Sequence, residues 1–97
     1  MKRKKYKPLP ETVTINKSMI EGLGLFATKD IKKNTNLGMM HLITEAKEVI
    51  RTPLGGFINH ALKPNCELVE NGNQYILRTL RNILPNEELT VRYSLEQ

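Results

Sequence analysis

The sequence predicts a small domain built mostly from β-strands, and three observations support this. Short runs of β-branched and other apolar residues alternate with turns rich in glycine, proline and asparagine. No segment carries the extended apolar repeat of a long helix. Strands and helices do not alternate, which excludes a doubly wound cofactor-binding fold. With 97 residues, the chain is long enough for one domain.

The individual strands follow from local composition and from the turns between them. Residues 12–15 are a β-branched run, which favours a strand. The stretch 36–43 is a weaker candidate because Gly38 interrupts it. Asn71-Gly72 is typical of a hairpin turn. We therefore expect strands at 12–15, 25–28, 36–43, 66–69, 75–80 and 89–93.

One short helical turn is expected between the third and fourth of these strands. Thr44 is suited to cap it, with residues 45–48 behind it. The segment should stop near Thr52-Pro53, because a residue that precedes proline disfavours the helical conformation. Gly55-Gly56 should then open the next unit, at residues 57–60.

The net charge of +5 is concentrated at the N-terminus. The other ten basic residues balance the ten acidic ones. We expect residues 1–10 to form a flexible, solvated tail ahead of a domain at 11–97, or alternatively an electrostatic arm for nucleic acid or an acidic partner. The rest of the chain offers no matching basic stripe or aromatic platform, which makes a dedicated nucleic-acid-binding fold less favoured. Five basic residues form the tail's charge: Lys2, Arg3, Lys4, Lys5 and Lys7.

Several functional classes are excluded by what the sequence lacks. No apolar run approaches the roughly 18 residues of a membrane span, and no apolar stretch follows the basic start as in a secretory signal. One cysteine, Cys66, cannot form an internal disulfide, so an intracellular location is the expectation. Two histidines, His41 and His60, together with Cys66 make a poor metal-ligand set, and no metal is expected.

Three clusters of residues could carry chemistry. The first is the turn Gly22-Leu23-Gly24, where missing side chains would let a ligand approach the backbone. It has neither the third glycine nor the following helix of a dinucleotide site. The second is residues 57–60 (Phe-Ile-Asn-His), followed by 64–66 (Pro-Asn-Cys). The third is residues 87–93 (Glu-Glu-Leu-Thr-Val-Arg-Tyr). Taken singly, these are an ordinary turn, a capped loop and a strand; a nucleophilic pair of Cys66 with His60 has no support from the spacing.

In this order, the three clusters resemble the signature motifs of SET-domain lysine methyltransferases. Residues 76–83 also look like the family's strand before the last motif, and the resemblance runs from about residue 18 to 93. It implies a SET-domain fold of short strands in small sheets with a C-terminal pseudoknot. It further implies transfer of methyl groups from S-adenosylmethionine to lysine side chains of a protein substrate, with nucleic-acid-associated proteins among the candidates.

The resemblance also implies a role for each matching residue. Asn59 would lie near the amino group of S-adenosylmethionine and the His60 backbone near its adenine. Tyr93 would be the catalytic side chain that orients the lysine amine, and Leu68 and Tyr75 would line the lysine channel. The cofactor-binding set as a whole would be Gly22, Leu23, Gly24, Phe57, Asn59 and His60.

The sequence departs from the family pattern in the two segments that are expected to surround the site. The usual insert shrinks to about residues 46–55, and four residues follow Tyr93 in place of a cysteine-rich, zinc-binding tail. This is similar to the trimmed SET domains of some viruses or microbes, which implies the cytoplasm of a microbial or virus-infected host cell, or the nucleus of a eukaryotic host. A homodimer is expected to supply the missing channel walls. Two alternatives stay open: a small basic nucleic-acid-binding protein, and a SET-fold binding module without catalysis.

Overall fold

The computed structural model describes residues 9–92, and these form eight strands and one short helix. The prediction of a mostly β domain is confirmed. The basic residues at 2–7 and Tyr93 lie outside the described residues. The elements are β1 (Val13–Lys17), β2 (Leu23–Ala27), β3 (Asn36–Ile43), β4 (Val49–Arg51), α1 (Pro53–Phe57), β5 (Asn59–His60), β6 (Cys66–Asn71), β7 (Gln74–Thr79) and β8 (Glu88–Val91).

The strands form two four-stranded sheets. One has the order β1-β2-β8-β5, in which β5 and β8 run parallel, and the other has the order β4-β3-β7-β6. The expected hairpin at Asn71-Gly72 is confirmed: Asn71 pairs with Gln74, and Gly72 adopts a φ of +63°. A two-residue turn of this kind needs positive φ, which glycine adopts without strain.

Both sheets contribute to one apolar core. Leu25, Leu89 and Val91 come from the first sheet, and Met40 and Leu77 come from the second; all five side chains are fully buried. Burial of such side chains contributes about 1.5–3 kcal/mol each. Leu9, which the sequence assigns to the tail, packs against this core as well. Among residues 9–92, no helix is long and apolar enough to cross a membrane.

The helix begins at the point where the sequence analysis expected a helical segment to end. Residues 44–48 form a turn between β3 and β4, in which the Thr44 hydroxyl accepts from the Glu48 amide at 3.1 Å. The helix α1 starts at Pro53 instead, with Thr52 as its N-cap. The expectation was wrong because proline is unfavourable inside a helix but well suited to its first position, where no hydrogen bond is lost.

The segment between β5 and β6 wraps around β8. The Ala61 amide donates to the Val91 carbonyl at 3.0 Å. The Asn65 side chain donates to the Glu88 carbonyl and accepts from the Thr90 amide, both at 2.8 Å. Because backbone groups of successive residues point to opposite edges of a strand, these contacts lie on both edges of β8. The C-terminal strand is thus enclosed by residues 59–65, as expected for the pseudoknot.

Candidate functional site

The side-chain amide of Asn59 lies at the centre of a polar cluster. The cluster joins residues near the start of the chain to a residue near its end. Its nitrogen lies 2.9 Å from a carboxylate oxygen of Glu88 and 3.0 Å from the Ser18 hydroxyl. It also lies 3.1 Å from the Glu21 carbonyl oxygen and 3.3 Å from that of Leu23. We call the side chains of Ser18, Asn59 and Glu88 the Asn59 junction. The junction ties β5 and β8 to the turn between β1 and β2.

Ser18 organises that turn. Its hydroxyl donates to the Glu88 carboxylate, with distances of 2.9 and 2.8 Å to the two oxygens. The same oxygen accepts from the backbone amides of Ile20 at 2.8 Å and Glu21 at 3.2 Å. One serine therefore satisfies the turn's amides and links them to an acidic side chain that lies 70 positions later in the chain.

The two glycines of the Gly22-Leu23-Gly24 motif, one in the turn and one in β2, are required for different reasons. Gly22 has a φ of +50° and open space where a Cβ would be, so its role is conformational. Gly24 is buried, and a Cβ there would collide with the Glu88 carboxylate and approach the Asn59 amide nitrogen to 3.2 Å. The absent side chain of Gly24 thus makes room for the Asn59 junction. Contact of this turn with a cofactor stays a prediction.

The acceptors around Asn59 decide which atom of its amide faces outward. The amide nitrogen has two hydrogens, and four acceptor oxygens lie within 3.3 Å of it. The amide oxygen is therefore the atom that can accept from a ligand. A ligand with an ammonium group fits such a site, since an ammonium only donates hydrogen bonds.

The other predicted cofactor residues that carry a side chain are all accessible at the surface. Leu23 at the start of β2 is 49% exposed, and Phe57 at the end of α1 is 37% exposed. His60 is exposed on β5, where it pairs with Val91. An acceptor for an ammonium group together with partly exposed apolar side chains matches the chemistry of S-adenosylmethionine, which carries an amino-acid end and an adenine ring.

Leu68 and Tyr75 lie in the other sheet. Leu68 pairs with Leu77 in the hairpin of β6 and β7, and Tyr75 lies two residues before Leu77 on the same, core-facing side. Leu68 packs against the core. The two residues therefore share a face, as a channel wall would require. The strand β8 ends at Val91, and Tyr93 lies outside the described residues, so its catalytic role stays a prediction.

The imidazole ring of His41 lies beside the ring of Tyr75. The two rings meet edge to face with centroids 6.4 Å apart. Among residues 9–92, the Nε2 atom of His41 is buried and has no hydrogen-bond partner. Burial, with the nearby positive charge of Arg51, lowers the pKa of His41. The ring is therefore held in the neutral form.

Two other reactive or metal-binding possibilities receive no support. Cys66 is buried, and loss of hydration raises the pKa of its thiol to about 12. A thiol in that state is not a nucleophile at neutral pH. Within residues 9–92, no three His, Cys, Asp or Glu side chains are arranged to hold a metal ion.

Sequence reasoning missed Ser18 and Glu88 as members of the site. Glu88 was part of the third cluster but had no assigned role. A signal was available, since an acidic residue at the start of an apolar strand needs hydrogen-bond donors when it is partly buried. The identity of those donors could not be read from the sequence, because Ser18 and Asn59 are far from Glu88 along the chain.

The SET-domain family model matches residues 44–94, more than half of the chain. This chain belongs to the SET-domain family. The matched residues run from the turn before β4 to three residues past β8 and include Asn59 and Glu88. Ser18 and the glycine turn precede it, and the tertiary structure brings them to the same site.

Curated relatives of this SET domain include histone-lysine N-methyltransferases. It is 40% identical over 42 residues to Suv4-20 of Caenorhabditis elegans, which covers 43% of the chain and 15% of that protein. It is 44% identical over 41 residues to human SMYD3, which covers 42% of the chain and 10% of that protein. The chain thus spans a small part of the length of these relatives.

Solved structures show the same fold over nearly the whole domain. PFL0690c of Plasmodium falciparum aligns with a TM-score of 0.72 and 21% identity, over 90% of this chain and 96% of that one. The methyltransferase domain of human PR domain-containing protein 2 aligns with a TM-score of 0.71 and 23% identity, over 92% and 81%. At this level of identity, these likenesses establish the SET fold alone.

Proposed function

We propose that this SET-domain protein transfers methyl groups from S-adenosylmethionine to lysine side chains of a protein substrate. The observation that carries the proposal is the Asn59 junction. It brings the glycine turn, the Asn-His motif and the C-terminal strand into direct contact around one outward-facing acceptor. The similarity to histone-lysine N-methyltransferases supports the same reaction class.

Each residue of the site has a definable task in this function. S-adenosylmethionine, when bound, supplies a methyl group activated by a sulfonium. The oxygen of the Asn59 amide accepts from the ammonium of the cofactor's amino-acid end. Leu23 and Phe57, both partly exposed, offer apolar surface to the rest of the ligand. The His60 backbone is assigned to the adenine side, next to its pairing with Val91.

The lysine substrate must reach the site as a neutral amine. Free lysine has a pKa of about 10.4, so the nucleophilic form is scarce at neutral pH. An apolar channel disfavours the charged form and lowers the pKa, which is the task assigned to the face that holds Leu68 and Tyr75. The Tyr93 hydroxyl is assigned to orient the amine, because positioning of the reactants lowers the barrier without requiring a strong base.

Two measurements test the proposal in sequence. Titration calorimetry should show one S-adenosylmethionine site per chain, and Asn59→Ala should weaken binding by about 1–3 kcal/mol through loss of a hydrogen bond to a charged group. Incubation with labelled S-adenosylmethionine and core histones should then transfer label to lysine. Absence of binding at millimolar cofactor would overturn the proposal. Binding without transfer to histones or to a whole-cell protein extract would identify a SET-fold binding module instead.

A further inference from the structure

Glu88 is one of the acceptors that orient the Asn59 amide. An asparagine side chain can present either its nitrogen or its oxygen to a ligand, because the two ends are nearly the same size. Here the inner side of the amide faces acceptors: a Glu88 carboxylate oxygen at 2.9 Å and the carbonyl oxygens of Glu21 and Leu23. A reversed amide would place its oxygen against these oxygens, so the nitrogen must face inward.

Among these acceptors, Glu88 is the charged one and also fixes the proton of Ser18. The Ser18 hydroxyl has one hydrogen, which points to the carboxylate at 2.8–2.9 Å. Its oxygen then acts only as an acceptor, toward the Asn59 nitrogen at 3.0 Å and toward the backbone amides of Ile20 and Glu21. The carboxylate therefore acts on Asn59 both directly and through Ser18. Charge-assisted hydrogen bonds are also roughly twice as strong as neutral ones.

We propose that Glu88 is a positioning residue that holds the oxygen of Asn59 outward and thereby makes this site select a ligand with an ammonium group. The inference rests on the proposed function, since it concerns recognition of the amino-acid end of S-adenosylmethionine. Gly24 is part of the same arrangement, because any side chain at this position would displace the Glu88 carboxylate. An uncharged side chain at position 88 removes the one charged acceptor and so weakens the preference for this orientation, although the carbonyl oxygens of Glu21 and Leu23 remain.

The test compares two ligands that differ at the group in question. S-adenosylmethionine carries the ammonium, whereas methylthioadenosine keeps the adenosine and the sulfur but lacks the amino-acid end. Glu88→Gln retains the shape of the side chain and removes its charge. We expect the affinity for S-adenosylmethionine to fall by about tenfold, because a charge-assisted contact is lost. The affinity for methylthioadenosine, measured by competition, should stay within about twofold of wild type, since that ligand makes no hydrogen bond to the Asn59 oxygen.

A matched control is Glu87→Gln, which removes the same charge from the neighbouring residue. Glu87 forms an ion pair with Arg81 and accepts from the Leu84 amide, away from the Asn59 junction. Both ligands should bind this variant as they bind wild type. A Glu88→Leu variant, which removes every acceptor atom, should lose more affinity for S-adenosylmethionine than Glu88→Gln does.

The outcomes separate this inference from the proposed function. If wild-type protein binds S-adenosylmethionine and Glu88→Gln binds it equally well, Glu88 does not position Asn59. If Glu88→Gln loses both ligands in proportion, Glu88 has a general structural role and the inference is wrong. If wild-type protein does not bind S-adenosylmethionine, the proposed function itself fails and the inference falls with it.

Discussion

The imidazole ring of His41 lies directly against the backbone of Gly55, and the contact leaves no room for a side chain on that glycine. A Cβ at Gly55 would be 2.9 Å from two ring atoms of His41 and 2.6 Å from the carbonyl oxygen of Met40. At the next residue, Gly56, a Cβ would have open space. A side chain is therefore excluded at Gly55 and can be accommodated at Gly56, although the two glycines are adjacent in α1.

Substitution of these glycines by alanine should change stability in opposite directions. Gly55→Ala should lower the free energy of unfolding by about 1–3 kcal/mol, because the Met40 carbonyl is backbone in β3 and cannot move away without strain. Gly56→Ala should raise it by about 0.4–1 kcal/mol, since alanine restricts the unfolded chain and favours helix. Urea unfolding of both variants measures the difference. Equal stability of the two variants would contradict the packing of His41 on Gly55.

The neutral state of His41 predicts a loss of stability in mild acid. Its pKa in the folded protein is lowered by burial and by Arg51 on β4, while the ring of Tyr75 on β7 meets the imidazole edge to face. The unfolded chain therefore binds the proton more readily. The contribution of His41 is fully present above the unfolded pKa of about 6.5 and is lost as pH falls from there toward the folded pKa.

Thermal unfolding of wild type and His41→Gln between pH 7.5 and pH 5 tests this effect. Glutamine does not titrate, so the variant lacks the His41 contribution while every other ionisable group is unchanged. The melting temperature of wild type should fall more steeply with decreasing pH than that of His41→Gln. Parallel curves would show that His41 accepts a proton in the folded protein as easily as in the unfolded chain.

The catalytic assignment of Tyr93 predicts a separation between turnover and cofactor binding. Tyr93→Phe keeps the ring and removes the hydroxyl that would orient the lysine amine. We expect turnover to fall by about two orders of magnitude, as for loss of a positioned catalytic group. The affinity for S-adenosylmethionine should be nearly unchanged, because the Asn59 junction is intact in the variant. Wild-type turnover in Tyr93→Phe would make this tyrosine a packing residue.

The edge of β4 offers a specific way to form the expected homodimer. Val49 and Ile50 are 56% and 50% exposed on this edge. The Thr52 amide donates to the Met40 carbonyl of β3, and the Glu48 carbonyl accepts from the Thr44 amide just after β3. The alternate residues Val49 and Arg51 therefore direct their backbone groups outward. In an antiparallel pair of two such edges, these outward residues must face each other.

Repulsion between like charges favours one register for this antiparallel pair of β4 edges. With Ile50 on the two-fold axis, Val49 faces Arg51 of the second copy and the two Ile50 side chains meet. A shift to an axis at Val49 would oppose Lys47 and Arg51, and an axis at Arg51 would oppose two arginines; like charges directly opposite are destabilising. Sedimentation at micromolar concentration should show a dimer that Ile50→Lys converts to a monomer. Leu84→Lys, at another exposed apolar residue, is the control and should remain dimeric. A wild-type monomer would exclude the dimer and leave the substrate protein to complete the channel.

The sequence by itself predicted six of the eight strands in the described residues, most of the turns and the family, and it missed the short strands β4 and β5. Local chemistry suffices for these features: β-branched runs favour strands, Asn71-Gly72 favours a hairpin with positive φ, and three motifs in order indicate a SET domain. The strand at Asn36–Ile43 was predicted with the bounds that the structure has. The helix was misplaced because Thr44 and Thr52 are both good caps, and Pro53 was read as a stop and not as a start.

Only the tertiary structure decided which residues of the separate motifs contact one another. Gly24 is required by Glu88, and Gly55 is required by His41, yet neither partner is close to its glycine in sequence. The same holds for Asn59, whose amide orientation depends on an acidic residue 29 positions away and on backbone carbonyls across the sheet. These relations arise from packing at distances of a few ångströms between strands that are adjacent in space. Local patterns hold no information on that packing, because steric exclusion and hydrogen-bond polarity act only once the strands have met.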